Sequence, residues 1–340
     1  MTNASPLPVP EMLSGIGRGA FRQVWRPRQE KGGACQKSLS IPCKLVYNPP
    51  MSTLAFTLIV ISAVMHALWN MMVKRSRHKT VFIWWMFVAS AGLFTVMLPL
   101  APEPFGWPAP RTLALIATAA VCFVLYHLFN GRAYRTGDLS VVYPLCQTSM
   151  VYVPIWGAVL LSERLTLAGL CGILLVIFGT YTVQLQRLSA LELTRPFRDL
   201  RTTSVQAALA AGFIYSIGSI AEKTGVGNYS PLYFTYLLVL AMLALMSFNL
   251  LRPKYRALIM EEWREHWRLI LCSGPVMMAS FLTFRYGLNR APVSYAVPVR
   301  QVSILVGVLI GILFLGESFG RIRLMAAALI LAGAVLIRLG

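Results

Sequence analysis

Charged side chains are scarce in this 340-residue sequence, where Asp, Glu, Lys and Arg together make up 13% of the residues. Soluble domains usually carry about 25%. Acidic residues are the rarest, with 12 against 31 basic ones. The deficit excludes an ordinary soluble enzyme, and a hydrophobic content of 57% excludes a chain that is disordered throughout. The sequence also lacks the G-x-x-x-x-G-K-[ST] loop of nucleotide hydrolases.

The sequence is equally poor in signals for metals, cofactors and nucleic acid. Its six cysteines show neither metal-ligand nor redox spacing, and four of them lie within apolar runs. The net charge of +19 comes from short Lys and Arg clusters between apolar runs, whereas a nucleic-acid binder gathers them on one face. We therefore predict no metal, no cofactor and no nucleic-acid partner. The expected partners are the lipid bilayer and a small-molecule substrate, and the oligomeric state is not predicted.

Long apolar runs are what the sequence has in abundance. From Met51 onward ten runs follow one another, each near the roughly 20 residues that a helix needs to cross a bilayer. A backbone in lipid must satisfy its own hydrogen bonds, so the runs predict helices. We expect an all-α integral membrane protein with about ten transmembrane helices, over residues 52–73, 80–100, 112–130, 139–162, 165–186, 202–221, 230–251, 269–289, 291–315 and 319–337.

An internal repeat relates the two halves of this array. At an offset of 154 residues, eight positions in the first half match identical residues in the second. The matched pairs are Ser140 and Ser294, Pro144 and Pro298, Gln147 and Gln301, Ser149 and Ser303, Gly157 and Gly311, Leu161 and Leu315, Glu163 and Glu317, and Gly179 and Gly333. Five spans per half is an odd number, so the second half enters the membrane from the opposite side. This is the inverted-topology repeat of many secondary transporters.

The repeat divides the chain into segments. We predict a first five-helix repeat over residues 51–186, a linker over 187–201 and a second repeat over 202–340. Residues 1–50 are rich in Pro, Gly, Lys and Arg and contain no run long enough to span a membrane. They are predicted to be a disordered N-terminal extension or a mis-assigned start, with Met51 as the alternative initiator.

Short motifs make the chain resemble the EamA-type transporters of the drug/metabolite transporter superfamily. The matching segments are HALWN at 66–70, GDLSVVYP at 137–144, LSERLT at 161–166, APVS at 291–294 and LGE at 315–317. The resemblance implies ten helices in two inverted five-helix repeats. It also implies a secondary transporter, a permease or exporter of small metabolites, amino acids or drugs, and not an enzyme.

Two other functions stay open from the sequence. An intramembrane enzyme acting on lipid would need convergent catalytic groups, such as a His/Asp pair. His66 and His127 are the histidines within predicted spans, and they lie on different helices without an acidic partner in a span. A non-transporting assembly or sensor subunit is the third interpretation.

Charge bias predicts the orientation in a cell membrane, taken here as a bacterial inner membrane. Cytoplasmic loops are enriched in Lys and Arg. The odd-numbered loops hold 17 of these residues, against five in the even-numbered loops and the C-terminus. We therefore expect the odd-numbered loops to be cytoplasmic.

Arg300 is the foremost candidate for binding substrate. It lies about two helical turns into the ninth span and two residues after Pro298. Proline frees a backbone carbonyl, so Pro298 and its repeat mate Pro144 are predicted hinges beside a cavity. A guanidinium at this place suits a carboxylate or phosphoryl group. The alternative is that Arg300 snorkels to the interface, which is our expectation for Arg285.

Other polar groups near the two prolines are candidate lining residues. Gln147 and Gln301 each follow a proline by three residues, and Tyr143 and Tyr295 lie close by. The glutamines either line the substrate site or join helices by hydrogen bonds. The tyrosines either line the site or belong to an interfacial belt.

A polar stripe on the first span completes the predicted site. His66, Trp69 and Asn70 share one helix face, either as a cavity wall or as helix packing with Asn70 between helices. No predicted span carries Asp or Glu in its middle. If transport is coupled to protons, His66 is the candidate, because histidine titrates near pH 6.5. Rim acids such as Glu222 or Asp138 and the substrate itself are the alternatives.

Glu163 and Glu317 are expected to have a structural role. Each follows a span at the turn into the next helix, where a carboxylate favours the positive N-terminal end of the helix dipole. Lys74 and Lys223 end their helices in the same way and suit the negative C-terminal ends.

Overall fold

The computed structural model describes residues 51–137, 139–183, 185, 194, 200–250, 252–315 and 320–340. Residues 1–50, Asp138, most of the predicted linker and Glu317 lie outside the described residues, as do the predictions made for them. All described elements are helical. They are α1 (Thr53–Arg75), α2 (Lys79–Met97, extended by a 3₁₀ turn at Leu98–Leu100), α3 (Pro110–Thr136), α4 (Leu139–Cys146), α5 (Ser149–Leu160), α6 (Leu167–Thr182), α7 (Thr203–Asn228), α8 (Pro231–Leu250), α9 (Pro253–Asn289), α10 (Val293–Arg300), α11 (Val302–Leu315) and α12 (Arg321–Leu339).

Seven of the described helices are individually long and apolar enough to cross a membrane. These are α1, α2 with its 3₁₀ turn, α3, α7, α8, α9 and α12. The remaining three predicted spans are the shorter apolar helix α6 and two interrupted ones, α4 with α5 and α10 with α11. Large apolar side chains such as Val159 and Leu174 are 67% and 57% exposed on the outside of the bundle. The chain is a multi-pass membrane protein with the predicted all-α fold.

The two interrupted spans break at equivalent places. The amide of Gln147 bonds to the carbonyl of Pro144 at 3.1 Å, and that of Gln301 to Pro298 at 2.9 Å. Three residues further on, Met150 donates to Gln147 and Ile304 to Gln301. Each proline also leaves the carbonyl four residues before it without its usual amide donor, which weakens the helix next to the break. The result in both halves is a tight turn between two short helices.

The inverted repeat is visible in the helix packing. The contact of α1 with α9 has its counterpart in that of α3 with α7, and the contact of α2 with α9 in that of α3 with α8. α6 and α12 pack on each other across the pseudo-twofold axis. There a Cβ on Gly179 would lie 2.9 Å from the Ala326 carbonyl oxygen, and one on Gly333 would lie 2.6 Å from that of Gly172. The 154-residue offset relates Gly179 to Gly333 and Gly172 to Ala326, so the two contacts are equivalent and the sequence repeat is a structural one.

Two helices are longer than the apolar runs that predicted them. Residues 252–268, which separate the predicted seventh and eighth spans, belong largely to α9, which bends at His266 (φ −124°, ψ 20°) before it continues as the eighth span. The sixth span was predicted to end at residue 221, but α7 continues to Asn228, because no helix-breaking residue stops it there. The extension makes Glu222 part of this helix, where its side chain is buried.

Candidate functional site

Arg300 lies at the C-terminal end of α10, immediately before the break at Gln301. Its side chain points into the bundle, where Cζ lies 4.2 Å from the centre of the Phe284 ring on α9. Nη2 lies 3.3 Å from Nδ1 of His66 on α1. Its buried Nε has no hydrogen-bond partner among the described residues. Three helices from both halves therefore surround a cation that the described residues leave incompletely bonded.

The contact with Arg300 defines the protonation of His66. A guanidinium has only donors, so Nδ1 of His66 must accept this hydrogen bond with its lone pair. The imidazole is therefore neutral and carries its proton on Nε2. The ring of Trp69 meets that of His66 edge to face, with the centroids 4.8 Å apart. The predicted stripe on α1 thus places two of its members beside Arg300.

Aromatic side chains from α3 and α7 extend this region. The ring of Tyr126 lies 4.9 Å from that of Tyr215 and 5.2 Å from that of His127. These three side chains and His66 lie deep in the bundle, yet all of them keep accessible surface, as does Arg300. We call this group of Arg300, His66, Phe284, Tyr126 and Tyr215 the central site.

Arg285 does not snorkel, contrary to our expectation. Its Nε lies 2.8 Å from Oε1 of Glu222 on α7, and both side chains are almost completely buried, at 4% and 2% exposure. Nη1 also donates to the carbonyl of Phe281 at 3.2 Å. Two opposite charges inside the membrane attract strongly because the surroundings are apolar. The charge of Arg285 is therefore cancelled within the protein.

Sequence reasoning missed this ion pair, although a signal for it was available. Arg285 is an intramembrane cation, and such a group almost always has a partner. Extending the sixth span by one turn adds the acidic residue Glu222 to it. Phe284 and Tyr215 carried no such signal, since an aromatic residue in an apolar run is unremarkable.

The two glutamines lie at the helix breaks, with partly accessible side chains. Gln147 occupies the turn between α4 and α5, and Gln301 that between α10 and α11. α5, which follows the first break, packs against α10, which precedes the second. Tyr143 is also partly accessible and stacks on Tyr134, with ring centroids 6.5 Å apart. Pro144 and Pro298 are buried directly before the breaks.

Two predicted lining residues have other partners. The hydroxyl of Tyr295 accepts a hydrogen bond from the amide of Thr166 at 2.9 Å, and its side chain is buried against the start of α6. Asn70 is exposed and donates to the carbonyl of His66, one turn earlier on its own helix, at 2.9 Å. Neither side chain is brought to Arg300, so neither belongs to the central site as defined here.

Glu163 and Lys223 hold the turn between α9 and α10, an arrangement that we call the turn clamp. The Glu163 carboxylate accepts from the amides of Val293 at 2.8 Å and Ser294 at 3.0 Å, and from the Ser294 hydroxyl at 2.6 Å. Nζ of Lys223 donates to the carbonyls of Leu288 at 2.7 Å and Ala291 at 2.8 Å. Glu163 was expected to stabilise the start of the helix that follows it, and Lys223 the end of its own helix. In the structure both side chains bond instead to the turn between α9 and α10. Gly157 leaves space for the clamp, since a Cβ there would lie 2.6 Å from Oε2 of Glu163.

The chemistry that these residues offer is binding. Among the described residues, no three His, Cys, Asp or Glu side chains are grouped so that they could hold a metal ion. The open hydrogen-bonding capacity of Arg300 suits a carboxylate or phosphoryl oxygen. The surrounding rings suit the apolar part of a small molecule.

Comparisons with known proteins agree with this architecture. The model of the EamA-like transporter family matches residues 53–185 and 202–339, which are the two repeats. A solved structure described as "Crystal structure of protein" aligns with a TM-score of 0.63 at 17% identity, over 84% of this chain and 96% of that one. At this identity the likeness concerns the fold alone. No match is found among curated protein sequences.

Proposed function

The chain belongs to the EamA-like transporter family, and from this premise we propose that it is a secondary transporter of a small anionic metabolite. The substrate binds at the central site through Arg300 and crosses the membrane by alternating access. The observation that carries the proposal is the incomplete bonding of Arg300, which contacts a neutral histidine and an aromatic ring in a partly accessible position. An intramembrane charge is expensive unless it has a function or a partner.

The helix breaks support the alternating-access part of the proposal. Arg300 ends α10 and Gln301 forms the break, so a rotation at this point would move the guanidinium relative to α1 and α9. The equivalent break after Pro144 lies in the other repeat. Transporters built from inverted repeats rock one repeat against the other around a midplane site. Gln147, Gln301 and Tyr143 are proposed to line the path close to the breaks.

The remaining features of the proposal concern orientation and coupling. The odd-numbered loops are proposed to be cytoplasmic in a bacterial inner membrane because they hold most of the Lys and Arg residues. His66 is proposed as the group that carries a coupled proton, since it contacts the substrate-binding cation directly.

Uptake into proteoliposomes tests the proposed function. The full chain is reconstituted, and uptake of the monoanions lactate and benzoate is compared with that of a neutral and a cationic solute of similar size. We expect saturable uptake of at least one monoanion and a loss of at least about tenfold in Arg300→Gln, because a hydrogen bond to a charged group contributes roughly 1.5–3 kcal/mol. Arg300→Lys keeps the charge and should retain part of the uptake.

A matched control separates this effect from a general loss of charge. Arg290 lies exposed at the end of α9, where Nη1 donates to the carbonyl of Tyr286 at 3.1 Å. Arg290→Gln should transport like the wild type. Anion uptake by Arg300→Gln at the wild-type rate would contradict the assignment of the site, and transport of the neutral or cationic solute alone would contradict the anionic substrate.

A further inference from the structure

We propose that the central site binds one negative charge by itself and a second only together with a proton on His66, so that a dianion is transported with one proton. The inference rests on the proposed function and specifies the substrate charge for that same site. It starts from the contact between Arg300 Nη2 and His66 Nδ1 at 3.3 Å. The nitrogen that would take the proton is the one that now accepts from the guanidinium.

The central site carries one net positive charge in the described structure. Glu222 and Arg285 form a buried pair with Nε and Oε1 2.8 Å apart, so their charges cancel. His66 is neutral, as its contact with Arg300 requires. Arg300 therefore leaves one net positive charge at the site, and a monoanion balances it.

A proton on His66 is costly when no anion is present. Among the described residues, Arg300 from α10 and His127 from α3 are the charged and imidazole groups that act on His66, and the phenols of Tyr126 and Tyr215 lie in the same site. The described residues place no carboxylate in contact with it; Glu222, from α7, is bonded to Arg285 on α9. A protonated His66 would lose its hydrogen bond and lie against the Arg300 cation in apolar surroundings, where like charges repel strongly. Protonation of the empty site is therefore unfavourable.

The binding of the proton is linked to that of the anion. An anion at Arg300 replaces His66 as the acceptor and frees Nδ1. A dianion leaves one negative charge unbalanced, which a proton on Nδ1 neutralises. By linkage, the dianion favours the proton to the same degree as the proton favours the dianion. The proton comes from the solution on the side where the dianion binds and is released with it on the other side.

Uptake of two probes of different charge tests the inference. Lactate keeps one negative charge and oxalate two between about pH 8 and about pH 6, a range that includes the ordinary histidine pKa of about 6.5. The pH dependence of uptake then reports on the protein. A pH-sensitive dye in the lumen of the proteoliposomes records proton movement. We expect oxalate uptake to rise severalfold as the pH falls and to acidify the lumen, whereas lactate uptake changes less than about twofold and moves no proton through His66.

Variants of the charged groups sharpen the test. In His66→Gln the ratio of oxalate to lactate uptake at pH 6 should fall about tenfold, and oxalate should no longer acidify the lumen. Glu222→Gln adds one net positive charge, so oxalate should enter without a proton. The double variant Glu222→Gln/Arg285→Gln restores the net charge and should restore the proton requirement, which keeps the test valid if the single variant fails to fold. His78→Gln, far from the site in the α1–α2 turn, is the matched control and should keep the wild-type pH dependence.

The outcomes separate the two proposals. Two results would overturn the inference and leave the proposed function standing. In both, lactate is taken up, while oxalate uptake is either independent of pH or absent at every pH. A pH dependence that survives in His66→Gln, or that disappears in His127→Gln instead, also overturns it. If neither probe nor benzoate is taken up at any pH, the proposed function itself fails.

Discussion

The turn between α9 and α10 and the central site handle charge in opposite ways. At the turn, Glu163 accepts three hydrogen bonds and Lys223 donates two, all within the described residues. At the central site Arg300 contacts a neutral imidazole and an aromatic face, and its Nε has no partner among the described residues. The charged groups at the turn have their hydrogen-bond partners within the protein. Arg300 keeps donors without a partner among the described residues, and a ligand can accept hydrogen bonds from them.

The same contrast separates the two arginines of the bundle centre. Arg285 is paired with Glu222, and both are buried, whereas Arg300 keeps accessible surface and has no acidic partner in the described structure. The two halves of the chain differ in the same respect. At the repeat offset, the equivalent of Arg300 is Cys146, a buried and uncharged side chain. The backbone arrangement is repeated in the two halves, whereas the charge of Arg300 is present in one half only.

Breaking the Glu222–Arg285 pair should have the largest effect on stability. Glu222→Gln leaves Arg285 buried without a counter-charge, and removing one partner of a buried pair costs about 3–5 kcal/mol. We expect a large drop in the unfolding midpoint, measured by thermal denaturation of the purified protein in detergent. The double variant Glu222→Gln/Arg285→Gln should recover most of this loss. A single variant as stable as the wild type would show that Arg285 is not held by Glu222, and the contrast between the arginines would disappear.

Weakening the turn clamp should have a smaller effect in the same assay. Glu163→Gln removes the negative charge at the start of α10 but keeps one oxygen acceptor, and the loss of a helix cap costs about 0.5–2 kcal/mol. Glu265→Gln is a suitable control, because Glu265 is exposed and lies 3.5 Å from Arg77, and surface pairs contribute about 0–1 kcal/mol. Equal stability of Glu163→Gln and the wild type would contradict the structural role of the clamp.

Much of the fold could be predicted from the sequence because lipid leaves few choices. Apolar runs of sufficient length must be helices in a bilayer, and the matched Pro, Gln and Glu residues reveal the repeat. The prolines also mark where the two interrupted spans break, since their missing amides are a local property. The sequence could not show that α7 continues past residue 221 or that residues 252–268 are helical, because hydropathy alone does not define where a helix ends.

The site was harder to predict because its contacts join distant parts of the chain. His66 and Arg300 are separated by 234 residues, and each was identified by its charge or titratability within a span. Their mutual contact depends on how α1 packs against α10. Tyr295 illustrates the opposite case, since its spacing suggested a lining residue while packing directs its hydroxyl to Thr166. Periodicity assigns a residue to a helix face, but only the neighbouring helix determines what that face meets.

Ligand-dependent stabilisation of Arg300→Gln tests the central claim most directly. A bound anion stabilises the folded state by RT ln(1 + [L]/Kd) and so raises the unfolding midpoint, which means that the assay reports binding without transport. The ligand is a monoanion that the wild type takes up. We predict that it clearly raises the midpoint of the wild type and of Glu222→Gln/Arg285→Gln but leaves that of Arg300→Gln unchanged. Without ligand, Arg300→Gln is expected to unfold at the same midpoint as the wild type. A shift in Arg300→Gln as large as in the wild type would contradict the claim that Arg300 binds the substrate.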